Sequence, residues 1–480
     1  MENNSGKIST GLSGLDEILF GGFLPEQAYL LRGGPGTGKS TIGYKFLEEG
    51  TKQDGGHSLL ITLAESKERV IQNASSVNID LGKIDILDLS PEEQTYVEAQ
   101  TYDVFPAADI ESKPFIESIV EKVEEVEPDR VLLDSVSMLK YLHQDPYQYR
   151  NIVLSFIRYI CNKGATVILI SETEPGQSES QVTYWVDGVI NLEYNPGWRR
   201  IQITKFRGSN FRPGDHSFKL TNNGPEVFSR IQPHKYKRHF QSQILSVGVE
   251  EMDHLLKGGI EKGTINLITG PTGAGKTSLG MQFIKEAALR NDRSVIYTFE
   301  ESRDIIIQRS KGIGINLEKA ITSGNLKIEP IEPLSYSPDE FSNIVRRDIE
   351  ENGTGVVMID SLGSIQLSFA SENTLKRLHA LTVYLQNMGV TSILINETKS
   401  ISGKFKTTNT NASYLADNII FLRYVEDHGK LQKIIGVSKK RFSDFEHTIR
   451  EFQITSDGLR IGSPVKTSNG LLTGNISANY

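Results

Sequence analysis

The sequence predicts an α/β protein made of two tandem copies of one domain, each a mostly parallel sheet flanked by helices. Short continuous apolar runs such as AYLLRG, RVLLD and TVILI suit strands that are buried on both faces. Stretches that end at glycine, such as NIVLSFIRYICNKG, alternate with these runs and predict helices. The same series of motifs then occurs twice in one order, so both halves of the chain are expected to share the fold.

Length and composition narrow the class of protein. A chain of 480 residues suggests two to four domains at about 150 residues each. The net charge of −8 disfavours constitutive nucleic-acid binding, and no apolar run approaches the roughly 20 residues of a membrane helix. One cysteine, Cys161, and a start without an apolar leader predict a cytoplasmic protein with no membrane contact.

The duplication is anchored by two phosphate-loop motifs. GGPGTGKS and GPTGAGKT both satisfy G-x-x-x-x-G-K-[ST], and their lysines, Lys39 and Lys276, stand 237 positions apart. STGLSGLDEILFGG before the first motif aligns with SVGVEEMDHLLKGG before the second. Later in each copy, RVLLDSVSML aligns with VVMIDSLGSI. We therefore predict a first domain at 1–235, a second at 244–463, a polar basic linker at 230–243 and a flexible tail at 464–480.

Each phosphate loop is expected to hold a nucleotide. Glycines let backbone N–H groups approach phosphate oxygens, and the following helix adds the positive end of its dipole. Lys39 and Lys276 should reach the β and γ phosphates. The predicted nucleotide-binding residues are Gly33, Gly34, Pro35, Gly36, Thr37, Gly38, Lys39, Ser40 and Thr41, and Gly270, Pro271, Thr272, Gly273, Ala274, Gly275, Lys276, Thr277 and Ser278.

Four side chains are candidates for holding Mg²⁺. Ser40 and Thr277 end the two motifs and offer a hydroxyl group. Asp134 and Asp360 each end an apolar strand, where a carboxylate can hold the metal directly or through water. An aspartate at such a place can also cap a helix, but its position after a phosphate loop in both copies favours the metal.

The two copies differ at the predicted catalytic base. Glu300 and Glu301 follow an apolar strand, where a carboxylate can accept a proton from an attacking hydroxyl or water. Gapless pairing places Ala64 opposite Glu300 and Glu65 opposite Glu301. If the first glutamate is the base, the first domain binds ATP but hydrolyses it slowly.

A Lys-x-Arg motif stands late in each copy, at Lys205 and Arg207 and at Lys439 and Arg441. Alternation along a strand puts both cations on one face. Solvated charge is the ordinary explanation for one such pair, but its duplication favours cations that complete a neighbouring subunit's site. We therefore predict an oligomer with ATP at its interfaces.

Taken together, these motifs resemble the KaiC family of tandem RecA-like ATPases, over about Ile8 to Gly462. The resemblance implies a homohexamer that uses ATP and Mg²⁺ and has a KaiB-like or other signalling protein as partner. It also implies a slow ATPase in the first tier and an autophosphorylating serine/threonine kinase in the second. Residues that would touch ATP on the next subunit are Lys205, Arg207, Ser209, Lys433, Lys439, Arg441 and Ser443.

The phosphorylation segment of the family corresponds here to Ser413 through Asp417. Ser413 is the candidate phosphoacceptor, while Tyr414 replaces the threonine acceptor of the family pattern. Ala64 departs from the family at the first-tier base. A relative with altered regulation therefore fits the sequence better than a full oscillator.

Two other functions stay open at the level of sequence. A RecA- or helicase-like DNA-dependent ATPase would need mobile basic loops; SETEPGQSESQVTYW is acidic, whereas ETKSISGKFKTTNTN is basic. A regulatory scaffold, in which nucleotides only hold a ring together, is favoured for the first domain by Ala64.

Overall fold

The computed structural model describes residues 6–52, 55–91, 108–142, 145–172, 181–195, 197–369, 374–398, 411–427 and 430–465. The chain separates into two compact units, Met1–Arg230 and Ile231–Tyr480. Both SETEPGQSESQVTYW and ETKSISGKFKTTNTN lie mostly outside the described residues, and so do residues 466–480 of the predicted tail.

In the first unit, strands and helices alternate until the phosphate loop and its partners are assembled. The elements are α1 (Ser13–Ile18), β1 (Ala28–Gly33), α2 (Lys39–Lys52), β2 (Ser58–Thr62), α3 (Lys67–Ser75), β3 (Asp85–Asp88), α4 (Ala108–Val126), β4 (Arg130–Asp134), α5 (Leu139–Leu142), α6 (Pro146–Asn162), β5 (Thr166–Glu172), α7 (Val182–Trp185), β6 (Gly188–Asn195), β7 (Trp198–Phe206), β8 (Asp215–Thr221) and β9 (Gly224–Phe228). Nine strands form one sheet in the order β3-β2-β4-β5-β1-β6-β7-β8-β9. The strands from β3 to β6 are parallel, and β7 to β9 extend the sheet as antiparallel hairpins.

The second unit repeats this order. Its elements are β10 (Ile244–Leu245), α8 (Glu250–Leu255), β11 (Ile260–Glu261), β12 (Ile265–Gly270), α9 (Lys276–Leu289), β13 (Ser294–Thr298), α10 (Arg303–Gly312), α11 (Glu318–Thr322), β14 (Leu326–Pro330), α12 (Pro338–Glu350), β15 (Val356–Asp360), α13 (Leu362–Phe369), α14 (Thr374–Asn387), β16 (Thr391–Glu397), β17 (Asn418–Asp427), β18 (Lys430–Lys439), β19 (Arg450–Thr455) and β20 (Gly458–Pro464). The sheet order is β14-β13-β15-β16-β12-β17-β18-β19-β20, which is the order of the first unit strand for strand. The predicted fold of two mostly parallel sheets flanked by helices is confirmed.

Hydrophobic clusters cover both faces of each sheet. In the first unit, Leu60 and Leu132 face the cluster that contains α2, whereas Leu59 and Val131 face the cluster under α4 and α6. This alternation explains why the strands are continuous apolar runs, since both faces are buried. Close packing of α2 on the sheet depends on Gly43, where an added Cβ would lie 2.6 Å from Leu132 Cδ2.

The basic segment at 230–243, predicted as a linker, contributes packed residues to the second unit. Ile231 is buried in a core cluster of that unit. Tyr236 packs edge-on against Tyr384 at 5.0 Å between ring centres, and its hydroxyl accepts a hydrogen bond of 2.7 Å from Arg346. Sequence periodicity could not predict this, because the contacts are with helices more than 100 positions away.

Candidate functional site

The two phosphate loops connect the carboxyl end of a central strand to the first turn of a helix. β1 leads into α2 and β12 leads into α9, and each helix starts at the motif lysine. The glycine before that lysine has a φ of 96° at Gly38 and 105° at Gly275, a backbone region open chiefly to glycine. The loop amides and the helix N-terminus therefore meet where an anion would bind.

The motif lysines lie folded over their own loops. Lys39 Nζ donates hydrogen bonds of 2.8 Å to the carbonyl oxygens of Gly33 and Gly34, and Lys276 Nζ donates one of 2.8 Å to that of Pro271. Burial lowers the pKa of both ammonium groups, and nearby carboxylates oppose that shift. Each lysine is thus a partly desolvated ammonium group at the mouth of its loop, where the phosphates of a nucleotide would bind.

The candidate metal residues lie together in both units. Ser40 Oγ donates a hydrogen bond of 2.6 Å to Asp134 Oδ2, and Thr277 bonds Asp360 in the same way. Burial raises the pKa of Asp134, and it raises that of Asp360 to about 6. Burial makes each carboxylate costly to ionise when no cation is bound, so these sites fit residues that a cation completes. One carboxylate and one hydroxyl suit Mg²⁺ whose other ligands are phosphate oxygens and water.

Glu300 lies beside the candidate metal residues of the second unit. Its Oε1 accepts a hydrogen bond of 3.1 Å from Ser361 Oγ and another from Ser364 Oγ. Ser361 follows Asp360 directly, and Glu300 contributes to the raised pKa of Asp360. Two hydroxyl donors therefore hold this carboxylate at the edge of the sheet from which the phosphate loop starts.

Glu301 has a different environment. Its carboxylate pairs with Arg309 on α10. In the first unit, Glu65 occupies the matching place, because Asn73 Nδ2, also eight positions later on a helix, donates a hydrogen bond of 2.9 Å to it. The structure thus aligns Glu65 with Glu301, and Ala64 stands where the second unit has Glu300.

Two further carboxylates, which sequence reasoning missed, lie at the same edge. Glu172 ends β5 and Glu397 ends β16, the strands next to those that carry the loops. Thr272 of the second loop donates a hydrogen bond to Glu397, and the charges of Glu172 and Glu397 act on Lys39 and Lys276. The signal was present in the repeated blocks TVILISET and TSILINET, since both have this glutamate at the second-last position.

The Lys-x-Arg motifs lie elsewhere. Lys205 Nζ donates a hydrogen bond of 2.9 Å to the Thr183 carbonyl, and Arg207 lies 3.7 Å from Asp187. Ser209, the third predicted contact of this copy, accepts a hydrogen bond of 2.7 Å from Lys7.

The second unit repeats this pattern. Lys439 Nζ donates a hydrogen bond of 2.5 Å to the Ala416 carbonyl, and Arg441 lies 3.3 Å from Asp417. Ser443 Oγ donates a hydrogen bond of 2.6 Å to Glu261.

Strand register places these cations at the opposite edge of the sheet from their own phosphate loop. Phe206 at the end of β7 pairs with Gly188, which lies beside Tyr29 near the start of β1. The loop leaves β1 after Gly33, about 13 Å further along the strand at roughly 3.3 Å per residue. The second unit repeats this register, because Lys439 pairs with Ile419 at the start of β17.

Lys433 is separated from the other predicted contacts of its copy. It lies over the ring of Tyr424 at 5.8 Å, and the Tyr424 hydroxyl lies against Gly273 of the loop. In the first unit, Arg199 lies over Tyr194 at 4.9 Å and donates a hydrogen bond of 3.2 Å to the Gly36 carbonyl. Arg199 is therefore the counterpart of Lys433. The sequence comparison missed this pair because the first copy has arginine and the second has lysine at this position.

The candidate phosphoacceptor lies in a short 3₁₀ helix, Asn411–Tyr414, just before β17. Ser413 is half-buried, and its carbonyl oxygen lies 3.5 Å from Lys439 Nζ. The side chain of Tyr414 is 53% exposed, with its ring 5.5 Å from that of His379. The acceptor segment and the Lys-x-Arg motif thus share one edge of the second unit.

Comparison with known proteins gives the family. The family model described as "ATPase: KaiC" matches residues 8–232 and again residues 245–466. The chain belongs to the KaiC family. It is 28% identical to the circadian clock oscillator protein KaiC of Picosynechococcus sp. over 98% of this chain and 92% of that protein. It is 28% identical to KaiC of Rippkaea orientalis and 26% identical to KaiC of Synechococcus elongatus, each over 98% of this chain and 91% of the relative.

KaiC membership confirms the predicted class of enzyme. The motifs predict a KaiC-like ATPase with two P-loop domains, and the resemblance implies autophosphorylation; the KaiC-type ATPase is confirmed at the level of the family. No match favours the DNA-dependent alternative. Within the described part of the chain, no helix is both long enough and apolar enough to cross a bilayer.

Proposed function

We propose that this KaiC-family chain forms a homohexameric ring that binds Mg²⁺-ATP between subunits, hydrolyses it mainly in the second domain, and phosphorylates itself at Ser413. The observation that carries the proposal is the division of each sheet into two edges. One edge bears a complete phosphate loop, and the other bears the Lys-x-Arg cations. The two edges can come together only where one such unit meets another copy of the unit, as happens when identical subunits associate.

In the second domain, each side chain of the loop edge has a distinct role. Lys276 and the amides of its loop bind the β and γ phosphates, and Thr277 and Asp360 would hold Mg²⁺, which supplies charge neutralisation when bound. Glu300 accepts the proton of the attacking oxygen, whether that oxygen belongs to water or to the Ser413 hydroxyl of a neighbour. The new bond joins that oxygen to the γ phosphorus, the bond to the β phosphate breaks, and ADP leaves.

The first domain has the loop and the metal residues but Ala64 in place of the base. We propose that its ATP serves assembly more than turnover. A KaiB-like or other signalling protein is the proposed partner of the ring, and the single cysteine supports a cytoplasmic location.

The test compares two loop variants by native mass spectrometry and phosphosite mapping with Mg²⁺-ATP. We expect a hexamer for the wild-type chain, loss of assembly for Lys39→Ala, and an assembled hexamer without phosphate on Ser413 for Lys276→Ala. A wild-type chain that stays monomeric with ATP contradicts the ring. Phosphate absent from Ser413 while turnover depends on Lys276 leaves an ATPase without the proposed acceptor. Stimulation of turnover by single-stranded DNA would support the nucleic-acid motor instead.

A further inference from the structure

Each unit fixes an ammonium group at the C-terminus of the short helix that precedes its phosphate loop. In the first unit, Lys7 Nζ donates a hydrogen bond of 2.5 Å to the carbonyl of Leu19, the C-cap residue directly after α1. In the second unit, Lys440 Nζ donates one to the carbonyl of Leu256, the C-cap residue directly after α8. Leu19 and Leu256 stand 237 positions apart, as the motif lysines do, so the two acceptors are the same position of the repeat.

The two lysines, however, are not the same position of the repeat. Lys7 corresponds to Ile244, because Ile8 pairs with Phe23 as Leu245 pairs with Ile260. Lys440 follows Lys439 at the end of β18, where the first unit has Phe206 after Lys205. One copy thus brings the ammonium from its N-terminal segment and the other from its Lys-x-Arg segment. The acceptor carbonyl is therefore the same position of the repeat in both units, whereas the lysine that donates to it comes from a different position.

In both units the ammonium also holds the serine that follows the Lys-x-Arg motif. Lys7 Nζ donates a hydrogen bond of 2.7 Å to Ser209 Oγ. Lys440 Nζ lies 3.4 Å from Glu261 Oε1, which in turn accepts the hydrogen bond from Ser443. Burial tends to raise the pKa of Glu261, but the bonds from Ser443 and Lys440 hold it below its usual value.

These lysine hydrogen bonds matter because the arginines of the Lys-x-Arg motifs are held only by exposed ion pairs. Arg207 is 59% exposed and Arg441 is 64% exposed in their ion pairs with Asp187 and Asp417. Exposed ion pairs contribute little to stability, whereas a hydrogen bond to a buried charged group contributes more. The side chain of Lys440 is fully buried, so its bonds dominate the position of this segment.

We infer that Lys7 and Lys440 are positioning residues, which tie the Arg207 to Ser209 and Arg441 to Ser443 segments to a helix C-terminus so that these segments present their cations to a neighbour's ATP. The inference rests on the proposed function, because it assumes that the two segments act on another subunit. Neither lysine touches the nucleotide; each acts through the segment that it holds.

The test measures ATP turnover against ATP concentration for the full chain, well below its unfolding temperature. Lys440→Met is expected to raise the ATP concentration for half-maximal turnover by about tenfold. Lys319→Met, which removes an exposed charge on α11, is the control and should leave it unchanged. The triple exchange Ile244→Lys, Glu261→Leu and Lys440→Phe installs the arrangement of the first unit and should restore the value to within about twofold.

A double-mutant cycle separates positioning from general stabilisation. In an Arg441→Ala background, Lys440→Met should cause little further loss, because its effect passes through the same segment. Fully additive losses, an unchanged half-maximal ATP concentration in Lys440→Met, or an exchange variant that folds but stays impaired would each overturn the inference alone. A wild-type chain that neither assembles nor turns over ATP overturns the proposed function, and the inference with it.

Discussion

At the scale of single residues, the two copies differ most at Glu300 and Ala64. The loop lysines, the metal hydroxyls and the aspartates all match, so both domains are equipped to bind a nucleotide. Only the second has a carboxylate that Ser361 and Ser364 hold beside Asp360. Glu65 cannot replace it in its present position, because it matches Glu301, the glutamate that pairs with a helix side chain.

Glu300→Gln should therefore reduce ATP turnover by about a hundredfold or more, since the substituted amide cannot accept the proton. Glu65→Gln is the matched control and should leave turnover within about twofold. Steady-state phosphate release from assembled protein measures both. If Glu65→Gln removes most of the turnover, the first domain is the main hydrolytic site and the assignment of Glu300 is wrong.

Asp360 gives a prediction for pH. Its pKa in the folded chain is about 6, above the ordinary value of 3.8, chiefly because it is buried. Well below pH 4 the carboxyl is protonated in both the folded and the unfolded chain, so its burial costs no stability. As the pH rises, the unfolded chain releases this proton before the folded chain does, and above pH 6 the free energy of unfolding is lower by about 3 kcal/mol.

Asp360→Asn should thus stabilise the nucleotide-free, metal-free chain by about 3 kcal/mol at pH 8 and by less than about 1 kcal/mol at pH 4, while abolishing turnover. Denaturant unfolding at the two pH values measures the difference, and the exposed Asp444→Asn serves as control. An equal increase in the free energy of unfolding at both pH values would show that ionisation of the buried Asp360 does not cause the stabilisation.

At the scale of elements, the sequence was most informative where a strand runs straight into a motif. RVLLD and VVMID end at the predicted aspartates, because strands buried on both faces need continuous apolar residues. The repeated blocks TVILISET and TSILINET also contained a signal for Glu172 and Glu397, but the positions of Lys7 and Lys440 could not be predicted in this way. Their partners are set by which strands become neighbours and by the register of the late hairpins, neither of which leaves a local pattern in the sequence.

The turn from β12 into α9 depends on the backbone of Gly275. Its φ of 105° disfavours any side chain, and an added Cβ would lie 2.6 Å from Ile454 Cδ1. Gly275→Ala should destabilise the second unit by about 1 to 3 kcal/mol and weaken nucleotide binding there. Gly312→Ala, at an open position at the end of α10, is the control and should be close to neutral. Unchanged nucleotide affinity in Gly275→Ala, measured by calorimetry, would contradict the assigned loop geometry.

At the scale of the whole molecule, the chain repeats one incomplete site twice. Each unit offers a phosphate loop at one edge and cations at the other, and the register of β7 and β18 keeps them apart within the unit. Contacts between unlike surfaces of identical subunits close into a ring when the rotation allows it. The KaiC family model matches both halves of the chain, so the proposed assembly is expected to involve both domains alike.

The most direct test of this account mixes two variants of the second domain that each have impaired turnover. Lys276→Ala lacks the loop cation but keeps Arg441, and Arg441→Ala keeps the loop but lacks the cation that acts on a neighbour. If ATP lies between subunits, random mixing before ATP is added makes about a quarter of the interfaces fully wild-type and restores turnover in proportion. Turnover that stays at the level of the separate variants, in rings shown by native mass spectrometry to contain both chains, would contradict the account.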